Sequence, residues 1–238
     1  MTTVVVAGEG GLAQRLTPAV RVLGAVTVVA VLLALGVALV VSPAERVMGQ
    51  GIRILYVHAG AAWTAYLSYV VTAIGALMVL WRRQVAWDWL ALASAELGVV
   101  LTSVTLLTGM LWGRVAQGWW WRWEDPRLTL TLLLWFLYVG YLILRHATTG
   151  ERRIVLSAVL AVVGIPAMIL NHFAVTLFRT FHPEPVVVRP GGPALDAPFG
   201  QAILLSVIAY TLLYVTLLLA RIRLEARREQ AVDSSPPG

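Results

Sequence analysis

The chain carries four histidines and not one cysteine among its 238 residues. Without thiols there is no disulfide, no thioether-attached haem, no iron–sulfur cluster and no thiolate-held zinc. His58, His172 and His182 sit near the ends of long apolar segments, and His146 lies beside Arg145 in a charged loop. His146 reads as a solvated residue. The other three fall on one side once the segments are threaded through a bilayer. No H-x-x-x-H pair is present, so zinc on imidazole with a carboxylate such as Asp125 is a poor match.

A second concentration of chemistry runs from Trp112 to Thr129, WGRVAQGWWWRWEDPRLT. It holds Trp112, Trp119, Trp120, Trp121 and Trp123, half of the ten tryptophans, with Arg114, Arg122, Arg127, Glu124 and Asp125. Indole is apolar in body and polar at its N–H, which suits the edge of a bilayer. Any one of these rings has a plain reading as an interfacial anchor; the cluster as a whole asks for more. Haem matches the combination. Its iron takes one or two imidazoles, indoles lie against the macrocycle, and guanidinium groups pair with propionates. Arg122, Arg127 or Arg114 supply such groups. His172, inside an apolar run, reads more readily as a packing residue than do His58 and His182.

These residues need a frame, and composition says which kind. The chain is 59% hydrophobic and 13% charged, with a mean hydropathy of +0.81. Those values indicate a membrane-spanning protein. Six apolar stretches long enough for a core of about 30 Å are expected near residues 18–41, 54–81, 86–112, 128–144, 154–178 and 201–220. Pro18 fits a first helical turn, and Pro166 predicts a kink. Glu96 falls mid-span, where a carboxyl group must be protonated, paired or turned to a polar interior. The five prolines between Arg179 and Gly200 predict an irregular loop. The expected organisation is a tail over 1–17, a transmembrane domain over 18–220 and a mobile C-terminal tail over 221–238. No cleavable signal peptide is expected, because Glu9 precedes the first basic residue and the run from Ala19 to Val41 is too long.

The net charge is +6 and every cation is arginine. The arginines are scattered between apolar runs, which excludes a nucleic-acid patch. Eleven lie on the side of the two termini and seven on the other. The positive-inside rule then predicts cytoplasmic termini and puts the tryptophan-rich stretch, His58, His172 and His182 outside. No Walker motif is present, so ATP hydrolysis is not expected of this chain.

Several elements recur in order. LYVHAGAAW holds His58 and Trp63; Glu96 precedes TGMLWG, Thr108 to Gly113; GWWWRWEDPRLT follows; and RTFH ends at His182. With these elements the chain resembles the haem-handling CcmC family of cytochrome c maturation system I, from about Arg53 to Leu219. The resemblance implies an all-α polytopic protein of six transmembrane helices in the bacterial inner membrane. It implies non-covalent, transient binding of haem b, with His58 and His182 as axial ligands to iron. Trp112, Trp119, Trp120, Trp121 and Trp123 would form the platform or docking surface, with Arg122, Arg127 and Asp125 beside it. The implied partners are a membrane-anchored haem chaperone (CcmE-like), an ABC ATPase and a second membrane subunit (CcmA-like and CcmB-like) and a small helper protein (CcmD-like). The implied act is presentation of haem without hydrolysis. The alternatives at this level are a transporter subunit moving haem or another small substrate, and a purely structural subunit of an ABC-type complex.

Overall fold

The computed structural model describes residues 11–182 and 195–233, and within them every regular element is helical. Helix α1 (Leu12–Gly36) is prolonged by a single wider turn to Val41. Then follow α2 (Ile52–Arg82), α3 (Val85–Gln117), α4 (Pro126–Ala147), α5 (Gly150–Leu177) and α6 (Ala197–Asp233). All six are long and apolar enough to cross a membrane by length and composition. The all-α, six-span expectation therefore holds.

The helices outrun the apolar windows from which they were expected. Helix α1 begins at Leu12, so Pro18 lies inside it and not in its first turn. Helix α3 continues through Arg114 to Gln117 and stops where Gly118 takes φ 84°, a left-handed value that glycine adopts without steric cost. Trp112 is therefore helical, and the tryptophan loop proper is only 118–125. Helix α6 starts at Ala197, with Pro198 in its first turn, and makes RIRLEARRE helical. The closing SSPPG, the first ten residues and most of the proline-rich loop lie outside the described residues. Helix α5 runs unbroken past Pro166.

Alternation puts the starts of α2 and α4 and the ends of α3 and α5 at one end of the bundle. The start of α1, the end of α6 and the short turns after α2 and α4 lie at the other. Helix α2 is central, packing on α3, α5 and α6, while α1 leans mainly on α6. Lipid chains are as apolar as leucine, so close backbone approach has to come from small residues. A Cβ at Gly98 would lie 2.6 Å from the Ser68 hydroxyl, and one at Gly60 would lie 2.5 Å from the Tyr210 ring. Hydroxyls then tie helices together. Tyr69 meets Thr102 at 2.6 Å, Ser94 meets Tyr214 at 2.8 Å, and Thr27 meets Thr216 at 2.8 Å.

Helix α3 makes two ion pairs towards the end that carries the termini. Arg145 on α4 grips Asp88 on α3 with two bonds of 2.5 and 2.8 Å, both side chains buried. Arg221 on α6 grips Glu96 on α3 at 2.6 and 3.0 Å, and also meets Glu225. Glu96 is thus a paired, helix-binding carboxylate.

Candidate functional site at the tryptophan-rich end

A cavity of about 80 Å³ opens at the tryptophan-loop end. His58 from α2 and His182, beyond the end of α5, both line it. So do Trp112, Trp119 and Arg127, together with Tyr66, Thr131 and Asn171 deeper in the bundle. Of the expected site residues, these five are brought together. Trp120, Trp121, Trp123, Arg122 and Asp125 are not among the lining residues. His172 is exposed and meets Tyr66 edge-on at 5.9 Å, away from the cavity wall. His146 is exposed at the opposite end of the bundle.

His58 is fixed in place. Its Nδ1 lies 3.1 Å from the Thr108 hydroxyl. Helix α3 comes so close that a Cβ on Gly109 would lie 3.1 Å from His58 Cε1.

The segment bearing His182 is fixed from the other side by Asp125. This carboxylate caps α4, accepting from the backbone N–H groups of Arg127 at 2.9 Å and Leu128 at 3.1 Å. Its second oxygen accepts from the Thr180 hydroxyl and from the Phe181 N–H, both at 2.6 Å. The Thr180 hydroxyl accepts in turn from the His182 N–H at 3.0 Å. Burial pushes the Asp125 carboxyl up, but the bonds from Thr180, Leu128, Phe181 and Arg127 outweigh it and hold it below the usual carboxylate range. Gln117 adds a bond from its side-chain amide to the Phe181 carbonyl at 2.9 Å. Asp125 forms no ion pair with an arginine among the described residues; its four acceptor sites are filled by the fold.

The three candidate arginines separate clearly. Arg114 caps its own helix through the Gly118 carbonyl at 2.7 Å. Arg122 lies over the rings of Phe181, at 4.6 Å, and Trp119, at 5.6 Å, and pairs with Glu124 at 3.3 Å. Arg127 alone lines the cavity, and its guanidinium is in no ion pair among the described residues. Beside it the Trp112 N–H and the Tyr66 hydroxyl are buried without a partner. Unpaired buried donors call for an acceptor from outside the chain, such as water or a carboxylate. The tryptophans divide as well. Trp120 and Trp123 are 53% and 70% exposed, and Trp121 packs edge-on to Trp123 at 5.5 Å.

Thr108, Gln117, Thr180 and Asn171 were not among the expected site residues, although Thr108 and Thr180 stand in the TGMLWG and RTFH motifs. Asn171 carried a signal, being a lone amide in an apolar span. Gln117 carried none, since its role depends on α3 continuing past Trp112.

The profile of the family described as heme exporter protein C matches residues 9–235. The chain belongs to the heme exporter protein C family. Curated relatives agree in name and span. "Heme exporter protein C" of Bradyrhizobium diazoefficiens is 37% identical over 191 residues, 79% of this chain and 72% of its own length. The protein of that name from Haemophilus influenzae is 34% identical, covering 84% of this chain and 82% of its own. The Escherichia coli K12 protein is 33% identical, with 76% and 73% covered. Membership in the heme exporter protein C family brings a general role in haem handling and cytochrome c biogenesis to a multi-pass chain in which His58 and His182 share one cavity.

Proposed function

We propose that this protein binds haem at the outer face of the cytoplasmic membrane and presents it to a membrane-anchored haem chaperone. The carrying observation is that His58 and His182, on separate elements, line the same cavity as the unpaired Arg127. In this reading the two imidazoles ligate iron, Arg127 neutralises a propionate, and the Trp112 N–H and Tyr66 hydroxyl supply further donors to it. Trp112 and Trp119 form the near walls. Trp120 and Trp123, the exposed rings, suit the chaperone's docking or the outer rim of the macrocycle. Arg122 holds Phe181 and Trp119, and Asp125 holds the His182 segment, so both act through the site's geometry.

The residues fit haem in kind, but the cavity is small. Ligand pockets usually run to about 300–1,000 Å³, and this one is about 80 Å³. In this reading, taking up haem requires the site to widen. Handover is then ligand exchange at iron. The ABC-type partners and the small helper protein of the implied assembly are part of this proposal.

The deciding experiment is the absorbance spectrum of the detergent-purified protein, oxidised and reduced, beside His58→Ala and His182→Ala. A Soret band lost or shifted in both variants supports the assignment. Haem retained with an unchanged spectrum in either variant removes that histidine as a ligand.

A further inference from the structure

We infer that Thr108 is a positioning residue for His58, holding the ring's Nδ1–H so that Nε2 is the nitrogen left for a metal. This rests on the reading of His58 as an iron ligand. It adds a residue outside the cavity wall and commits to one tautomer.

A neutral imidazole has one N–H and one lone pair, and the bond made by one nitrogen sets the role of the other. Nδ1 lies 3.1 Å from the Thr108 hydroxyl, with the Thr105 backbone carbonyl also within hydrogen-bonding reach of the ring. A hydroxyl has one proton, and here the Val104 carbonyl takes it, at 2.6 Å from the Thr108 oxygen. Two oxygens that close repel unless a hydrogen lies between them. This is the familiar return bond of threonine to the carbonyl one turn back in a helix. Thr108 therefore faces the ring as an acceptor, Nδ1 is the protonated nitrogen, and Nε2 keeps its lone pair.

Gly109 completes the seat. With any side chain, its Cβ would stand 3.1 Å from His58 Cε1, so the ring would have to give by a few tenths of an ångström. One helical turn further along, Trp112 lines the cavity, and Gly113 admits Trp119, whose ring and carbonyl would meet an added Cβ at 3.2 Å. The stretch Thr108–Gly113 thus sets both the histidine and a tryptophan wall. Partners behind metal-bound histidines typically change metal affinity by about 10–100-fold when removed.

The test uses the full chain in lipid nanodiscs with ¹⁵N-labelled histidine, first without haem and then titrated with haemin. His58→Ala identifies the His58 signals. At neutral pH the wild type is expected to show protonated Nδ1 and bare Nε2, unchanged in Thr108→Ser. Thr108→Val is expected to mix the tautomers and to weaken haemin binding about tenfold, with Thr108→Ser restoring it. Protonated Nε2 in the wild type, or a Thr108→Val protein with wild-type tautomer or wild-type affinity, overturns the inference. If haemin binding survives His58→Ala, the ligand assignment fails instead, and the haem-free spectra still decide the tautomer.

Discussion

Asp125 shows how a residue in the right place can act without touching cargo. Its type and position in the tryptophan-rich stretch suggested a place in the haem site. The structure gives it four donors and, among the described residues, no cation. An anion at the first turn of α4 is also favoured by the helix dipole. Asn in its place keeps the shape but presents an NH₂ where an acceptor is required. Asp125→Asn is expected to cost about 1.5–3 kcal/mol, the range for bonds to a charged group, read as a lowered unfolding midpoint in detergent. The pH sign follows from the depressed carboxyl. The contribution is whole above the usual carboxylate range and is lost as pH falls through the lower folded value. The wild type's unfolding midpoint in detergent is therefore expected to fall on acidification towards that lowered value, and Asp125→Asn to show a flatter profile in the same titration. An equally steep profile in the variant would remove Asp125 as the source.

Helices were legible because long apolar runs admit little else in a bilayer. Their ends were not, because hydropathy stops where apolar composition stops while backbone hydrogen bonding continues. Helix α3 passes Arg114 to reach Gly118, and α6 carries RIRLEARRE well beyond its apolar run. The site was legible in the same uneven way. His58, His182, Arg127, Trp112 and Trp119 share a wall, but the contacts that orient them join residues 50 or more positions apart, as between His58 and Thr108 or Asp125 and Thr180. The Asp88–Arg145 pair was hidden for that reason too: Arg145 looked like a flanking charge until α4 was set against α3. Removing one partner of a buried pair leaves an isolated charge. Asp88→Ala is expected to destabilise by about 3–5 kcal/mol, while Asp88→Leu with Arg145→Met is expected to recover most of that loss. Unfolding in mixed micelles reads both; a double variant as unstable as the single one would deny that the unpaired charge is the cause.

At the scale of the whole molecule, everything proposed for the site depends on which way the bundle sits. The basis is arginine distribution, eleven on the side of the termini against seven on the other. Acidic partners do not cancel this count, since the rule follows Lys and Arg near the spans and not net charge. The pairing of Arg145 with Asp88 and of Arg221 with Glu96 therefore leaves the expected direction unchanged. The expected direction would put the α2–α3 turn, with Arg82, Arg83 and Gln84, in the cytoplasm, and the loop with Trp120 outside. A chain without cysteine makes the check simple, because each introduced thiol is the only one. Trp120 and Gln84 are both exposed, at opposite ends of the bundle. Trp120→Cys is expected to react with a membrane-impermeant maleimide on intact spheroplasts, and Gln84→Cys only after lysis. The reverse pattern would put the histidine cavity in the cytoplasm. Presentation of haem at the outer face would then be untenable, even if both histidines proved to bind it.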